Sequence, residues 1–268
     1  MTLTYRINQL GFRGREATLE KPDGQLRVVG LGDSFTFGVG VRLDDTFLAV
    51  LETRLREAGG PHPVEVMNLG VMGSDTSHQV NLLRHLGLRL APDLVVLCFF
   101  LNDAGGGSTH SQFNVGLDSE HAAWRRSRLL DRAVHLLQRP RQVRALVSNY
   151  RRSFEPNALG WASSRRALTQ ADRLSEAYGF DLVLMIFPVL WQLSDHYPFR
   201  DIHETVRAAA EAAGMPVLDL LPAFAGHDGP ELWVTPNNQH PNEIAHAIAG
   251  EALSSFLAAR GLPRPRGG

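Results

Sequence analysis

Five short apolar runs divide the chain, and none of them alternates polar with apolar positions. They are rich in Val, Leu and Phe, which is the pattern of strands buried on both faces of a parallel sheet. The five predicted strands are Leu26–Leu31, Val64–Leu69, Leu94–Leu101, Leu182–Phe187 and Val217–Leu220.

Longer amphipathic stretches separate these runs and predict helices. In the first of them Phe47, Leu48 and Leu51 recur at helical spacing, and Gly59-Gly60 ends the stretch. Strand and helix in alternation imply right-handed crossovers. We therefore expect a single domain over residues 1–268, a three-layer α/β/α sandwich around a five-stranded parallel sheet of flavodoxin-like type. The predicted helices are Thr46–Ala58, Ser77–Leu90, Arg165–Tyr178, His203–Ala213 and Asn242–Ala259.

The segment 105–160 interrupts the alternation. It opens on Gly105-Gly106-Gly107 and carries nine arginines between Arg125 and Arg152, with Asp131 as the one acid in that span. The pattern predicts a mostly helical insertion over the carboxyl ends of the strands. Two interpretations stay open: a helix pair with a solvated basic face, or a lid whose arginines meet an acidic substrate or carrier protein. The apolar positions at helical spacing are Leu129, Leu130, Ala133, Leu136 and Leu137.

Bulk composition excludes several classes of protein. The net charge is −1 and 21% of residues are charged, so no charge imbalance points to nucleic acid or to an anionic membrane. No segment reaches the roughly 20 apolar residues of a membrane span, and the first residues lack the apolar core of a leader peptide. Cys98 is the single cysteine, so no internal disulfide can form. We expect a cytoplasmic protein.

A serine directly follows the first predicted strand, in Gly32-Asp33-Ser34-Phe35. Open α/β folds bind ligands at the carboxyl ends of their strands, and a strand-to-helix turn presents its hydroxyl there. The backbone amides that follow can face an oxyanion. Alone the tripeptide is weak evidence, because Asp33 or Ser34 could simply cap a helix.

Three further segments carry matching chemistry. Asn68-Leu69-Gly70 ends the second strand, Leu101-Asn102-Asp103 ends the third, and His240-Pro241-Asn242 precedes the last helix. Ester cleavage by a serine needs a nearby base and N–H donors aimed at the developing oxyanion. The ends of adjacent parallel strands share one edge, so Ser34 can meet such groups there.

In this order the four segments resemble the four sequence blocks of the SGNH/GDSL hydrolases, over about residues 26 to 259. Tyr5–Arg13 also resembles the start of several bacterial members. The resemblance implies that Ser34 is the nucleophile and His240 its base. It also implies that the Ser34 and Gly70 backbone N–H groups and the Asn102 side-chain amide form the oxyanion hole. The implied reaction is hydrolysis of a small-molecule ester or thioester through an acyl-serine, without cofactor or metal.

One departure from the family pattern concerns the acid that orients the histidine. Family members usually carry an aspartate two or three residues before it, where this sequence has Asn237 and Asn238. Three explanations stay open. An asparagine carbonyl accepts the imidazole N–H, as in Cys-His-Asn enzymes; or a backbone carbonyl or a distant acid such as Asp195 or Asp228 does so; or the enzyme is slow, specialised or retired.

Two other functions remain open beside hydrolysis. An acyltransferase would use the same serine, with an alcohol or amine replacing water and an acyl carrier as a possible donor. A catalytically retired scaffold would act as a binding protein. A metal site is not expected, because no acid or cysteine set completes one around His78 and His85, and His240 and His246 would face different sides of a helix.

Overall fold

The computed structural model describes residues 3–105 and 144–264 and is built on one five-stranded parallel sheet in the order β2-β1-β3-β4-β5. This is the flavodoxin-like order, with the chain's first strand between its second and third. The predicted fold class is therefore confirmed. The strands are β1 (Leu26–Gly32), β2 (Val64–Gly70), β3 (Leu94–Phe99), β4 (Asp181–Ile186) and β5 (Val217–Asp219).

Helices form a group on each face of the sheet. In one group α2 packs against α7; in the other α5 packs against both α3 and α6. Among the described residues no helix is long and apolar enough to cross a bilayer. The helices are α1 (Ser34–Phe37), α2 (Phe47–Glu57), α3 (Thr76–His85), α4 (144–153), α5 (Leu159–Tyr178), α6 (Arg200–Ala212) and α7 (Glu243–Ala258).

The central strands are inaccessible to solvent, which explains why their sequences are apolar apart from Arg27, whose guanidinium is paired with Glu65. Every residue of β1 and of β3 is buried. Helix α2 lies directly on β1, since a Cβ added to Gly30 would lie 2.4 Å from Leu48 Cδ1. Burial on both faces leaves the strand ends as the places where β1 and β3 can present polar groups.

Several element boundaries differ from the sequence prediction. Strand β3 ends at Phe99, and a 3₁₀ turn over Leu101–Gly105 follows it. Helix α5 begins at Leu159 rather than Arg165, and α3 ends at His85 rather than Leu90. These shifts are at ends, where capping and packing rather than periodicity decide the boundary.

The sequence prediction also missed an antiparallel hairpin, formed by β6 (Trp233–Thr235) and β7 (Asn238–Pro241). Its strands are three and four residues long and mostly polar, so no apolar run announced them. The predicted lid, with its apolar positions 129–137 and most of its arginines, lies outside the described residues. The insertion at 105–160 therefore stays a prediction, and its described parts are α4 and the first residues of α5.

A buried histidine joins α7 to the start of α2. His246 is fully buried, its Nδ1 accepts the backbone N–H of Phe47 at 3.2 Å, and its ring stacks on the Phe47 ring. Burial lowers the pKa of His246 to about 3. The ring is therefore neutral in the folded protein near pH 7.

This pKa makes stability depend on pH below neutrality. Between the ordinary value of 6.5 and about 3, the unfolded chain binds a proton that the folded chain does not. Lowering the pH through this window should therefore cost up to about 1.4 kcal/mol of unfolding free energy per pH unit. The free energy of unfolding, measured with urea, should fall between pH 7 and pH 5 by ~2 kcal/mol less in His246→Gln than in the wild type. Glutamine still accepts the Phe47 N–H but does not titrate. Equal losses in the two proteins would exclude His246 as the group responsible.

Candidate active site

The first strand delivers Ser34 to the carboxyl edge of the sheet. Ser34 is the first residue of α1, and Asp33 caps that helix by accepting the Phe35 N–H at 2.9 Å. The serine is half-buried, while Asp33 and Phe35 are buried. A short capped helix thus fixes the hydroxyl at the sheet edge with backbone N–H groups around it.

Strand β7 brings His240 to the same point. Its Nε2 lies 3.0 Å from Ser34 Oγ, although 206 positions separate the two residues. The Phe35 ring contacts the imidazole, with 5.6 Å between centroids. Burial lowers the pKa of His240 below its usual value. A neutral imidazole in hydrogen-bond reach of a hydroxyl is the geometry that a general base requires.

Asn238 contacts the other nitrogen of this imidazole. Its Oδ1 lies 2.6 Å from His240 Nδ1 and 3.3 Å from the His240 backbone N. A backbone N–H can only donate, so the amide atom facing it is oxygen. The same oxygen then accepts the Nδ1 proton, which leaves the lone pair of Nε2 facing Ser34.

The other candidates for this role lie elsewhere. Asn237, Asp195 and Asp228 are exposed, and Asp228 caps the 3₁₀ turn Gly229–Leu232. Of the residues proposed from the sequence to orient His240, the structure brings Asn238 into contact with it.

The structure corrects the prediction for Gly70. Its N–H already donates to Asn68 Oδ1 at 2.9 Å, and Asn68 Nδ2 donates to Thr36 O at 2.7 Å. A Cβ on Gly70 would lie 2.3 Å from Phe37 N, so glycine is needed for the close approach of α1 to β2. The Gly70 N–H is therefore already engaged by Asn68, and the missing side chain of Gly70 serves packing.

The turn that follows β2 lies against the nucleophile segment. Val71 N–H and Ser74 Oγ both donate to the Gly32 carbonyl, at 2.9 and 3.0 Å. Within this turn Gly73 has a φ of 76°, and its N–H makes no hydrogen bond to another described residue. Sequence reasoning missed Gly73, for which a glycine in a turn after a strand was the available signal.

Asn102 is held beside the nucleophile by an acid. Its Nδ2 donates to Asp33 Oδ2 at 3.2 Å. Burial raises the pKa of Asp33, and the hydrogen bonds from Phe35 and Asn102 oppose this rise. One N–H of the Asn102 amide is thus committed to Asp33, and the amide's second N–H is left for another acceptor.

The next residue in the chain, Asp103, is a second buried acid. Asp103 Oδ2 accepts from Thr76 Oγ1 at 2.8 Å, and Gln79 Nε2 lies 3.4 Å away. Its Oδ1 is buried and has no partner among the described residues. Burial, and secondly the charge of Asp33, raise the pKa of Asp103 well above its ordinary value. The charged form of Asp103 therefore opposes folding.

The sign of this shift gives a prediction for stability. A carboxyl with a raised pKa contributes stability below its unfolded-state value and loses it as pH rises through the folded-state value. We expect Asp103→Asn to be more stable than the wild type at pH 7 by roughly 1–3 kcal/mol, since an amide keeps the Thr76 contact without a charge. In urea unfolding this gain should shrink at pH 4. Asp33→Asn, which replaces an acceptor with a donor facing Asn102, is the contrasting variant and should be destabilised. A loss of stability in Asp103→Asn at pH 7 would contradict the conclusion that the charged form of Asp103 opposes folding.

Metal sites need a set of ligating side chains. In residues 3–105 and 144–264 no group of three or more His, Cys, Asp or Glu side chains is arranged to hold a metal ion. His78 is exposed and hydrogen-bonds Asp75.

Solved structures share this fold at low sequence identity. LAE5, an alpha/beta hydrolase enzyme from the metagenome of Lake Arreo, is 18% identical with a TM-score of 0.55, over 90% of this chain and 97% of that one. TesA is 16% identical with a TM-score of 0.56, over 87% and 98%. A catalytic mutant of Axe2, an acetylxylan esterase from Geobacillus stearothermophilus, is 13% identical with a TM-score of 0.56, over 87% and 94%. At these identities the likeness establishes the fold alone.

Comparison at the level of sequence gives the family. A search of curated proteins found no match. The sequence does match the GDSL-like Lipase/Acylhydrolase family over residues 31–248, a range that holds Ser34, Asn102, Asn238 and His240. The match spans most of the chain and the fold agrees with it, so this protein belongs to the GDSL-like lipase/acylhydrolase family.

Proposed function

We propose that this protein hydrolyses a carboxylic ester or thioester through an acyl-serine intermediate on Ser34. The observation that carries the proposal is the 3.0 Å contact between His240 Nε2 and Ser34 Oγ. Family membership supports ester substrates, and the acetylxylan esterase among the structural neighbours makes acetyl esters the first to test.

The proposed reaction has two halves. His240 takes the hydroxyl proton as Ser34 Oγ attacks the carbonyl carbon, and then gives that proton to the leaving alcohol or thiol. Water attacks the acyl-serine in the second half, with His240 again as base and then as acid. The burial that lowers the pKa of His240 keeps the ring neutral, and so ready to accept a proton, at pH 7.

The oxyanion would be stabilised by donors from three elements. These are the Ser34 N–H at the start of α1, the free N–H of the Asn102 amide, and the Gly73 N–H on the turn after β2. The Gly73 amide takes the place that the sequence gave to Gly70. The turn of Gly73 is held against the Gly32 carbonyl, two residues before the nucleophile. Each well-aimed donor is worth about 3–4 kcal/mol of activation free energy.

Asn238 would serve where a triad usually has an acid. Its carbonyl oxygen can hold the Nδ1–H tautomer as a carboxylate does, but it carries no charge to stabilise the imidazolium that forms in the transition state. In the proposed enzyme His240 is therefore correctly oriented, but its protonated form is stabilised less than in a triad with an acid. An acyltransferase, and a retired scaffold that only binds, would present the same residues, and the first experiment below separates them from a hydrolase. An acyl-carrier partner and a cytoplasmic location stay predictions.

The first experiment uses p-nitrophenyl acetate and a fluorophosphonate probe. We expect turnover and covalent labelling in the wild type, and loss of both in Ser34→Ala, because the nucleophile is absent. Ser255→Ala removes an exposed hydroxyl on α7 and is the matched control. Labelling without turnover would favour acyl transfer. No labelling would favour a catalytically retired scaffold that only binds its ligand.

The second experiment restores the missing charge. We expect Asn238→Asp to raise kcat at least about tenfold, a small part of the ~10⁴ lost when a triad Asp becomes Asn. The new carboxylate should also raise the pKa of His240, so the acid limb of the pH–rate profile should move to higher pH. Asn237→Asp adds the same charge at an exposed site and should stay within about twofold of the wild type. A gain below about threefold in Asn238→Asp would mean that charge at Nδ1 does not limit the rate.

A further inference from the structure

We infer that Tyr197, His203 and Asp219 are positioning residues for the proposed esterase site, holding the loop after β4 in the shape that anchors the His240 hairpin. This inference rests on the proposed function for its catalytic consequence. Its physical basis is a chain of buried hydrogen bonds that runs from β5 to the Trp233 indole.

The chain starts at a buried histidine on α6. His203 is 1% exposed, and its Nδ1 lies 2.9 Å from Asp219 Oδ1 at the end of β5. Asp219 also accepts the Leu221 N–H at 2.9 Å. Burial acts to raise the pKa of Asp219, but its interactions with His203, the Leu221 N–H and Arg207 together outweigh burial, and the pKa lies below the ordinary value. Asp219 is therefore an ionised acceptor that fixes the orientation of the imidazole.

Tyr197 carries the chain into the loop 187–199. Its hydroxyl lies 3.2 Å from His203 Nε2 and accepts the Val189 backbone N–H at 2.9 Å. The Nδ1 of His203 thus faces Asp219, and its other ring nitrogen pairs with the Tyr197 hydroxyl. The phenol therefore ties the two ends of the loop to each other and ties both to α6.

The next residue of the loop reaches the catalytic hairpin. The Leu190 carbonyl accepts the Trp233 Nε1–H at 2.7 Å. Trp233 pairs with Pro241, the residue after His240. The Trp233 carbonyl oxygen accepts a hydrogen bond from Asn242 Nδ2 at 3.2 Å. The loop and the segment before the hairpin are in tight contact, since a Cβ on Gly229 would lie 2.4 Å from the Leu190 carbonyl oxygen.

These contacts form one mechanical path. Val189 and Leu190 are adjacent, so a displacement of the chain that frees the Val189 N–H is passed through one intervening peptide unit to the Leu190 carbonyl. The Leu190 carbonyl binds the Trp233 indole, and Trp233 belongs to β6, which pairs with the strand that carries His240. A misplacement of about 1 Å in a reacting group can lower a rate on the order of 100-fold, so small shifts along this path should be visible in catalysis.

The experiment is a double-mutant cycle with Tyr197→Phe, which removes the hydroxyl and keeps the ring, and Trp233→Phe, which removes the indole N–H and leaves a smaller aromatic ring. Each single variant should lower kcat on p-nitrophenyl acetate about tenfold, with KM within twofold, because His240 is displaced and the substrate contacts are kept. The double variant should lose no more than the larger single loss, because both variants break the same path. Tyr178→Phe, at an exposed tyrosine, is the matched control.

A second readout does not depend on activity. Amide hydrogen exchange in residues 233–241 should accelerate in Tyr197→Phe and stay at the wild-type rate in Tyr178→Phe. Multiplying kcat losses in the double variant, or unchanged exchange in the hairpin, would overturn the inference. A wild type without turnover or labelling would refute the proposed function instead. Hydrogen exchange alone would then decide whether Tyr197 holds the His240 hairpin in place. If Tyr197→Phe fails to fold, Asp219→Asn tests the same path from its other end, with the same expected kcat loss and faster exchange.

Discussion

The burial of β1 and β3 on both faces is the constraint on which the rest of the structure depends. Within these two strands Arg27 is the one charged side chain, and it is paired with Glu65 at 2.7 Å. The other polar groups lie where the strands end. Asp33 and Ser34 follow β1, and Asn102 and Asp103 follow β3, its neighbour in the sheet. The catalytic edge is thus a consequence of how the core is closed.

A network of buried polar groups turns this edge into a site with fixed geometry. Asp33 caps α1 and holds the Asn102 amide, and Asn68 ties α1 to β2 by bonding both Thr36 and Gly70. A buried polar group without a partner destabilises the fold, so each of these bonds favours one arrangement over its alternatives. Asp103 is less well accommodated. One of its oxygens has no partner among the described residues, and its negative charge is opposed by burial and by Asp33.

The proposed base is supported differently from the proposed nucleophile. Ser34 belongs to a helix seated on the sheet, whereas His240 lies on a two-stranded hairpin, an element that is marginal by itself. Contacts from the rest of the chain supply the missing support. Val234 of this hairpin lies against Gly40, the Trp233 indole is bound by Leu190, and Phe35 faces the imidazole. The positions of Ser34 and His240 are therefore coupled through the loops after α1 and β4.

The sequence by itself determined the five strands and the fold class, and it proposed Ser34, Asn102 and His240 for the site, because apolar runs and short blocks at strand ends are local features. It narrowed the partner of His240 to a few residues, and only the folded chain selected Asn238, whose oxygen meets both the backbone N–H and Nδ1 of His240. It also placed an oxyanion donor at Gly70, where the tertiary structure engages that amide with Asn68. The polar hairpin and the Tyr197–His203–Asp219 cluster left no pattern in the sequence. Hydrogen bonds between distant residues depend on angles and distances that form only when the layers pack, and no periodicity along the chain encodes them.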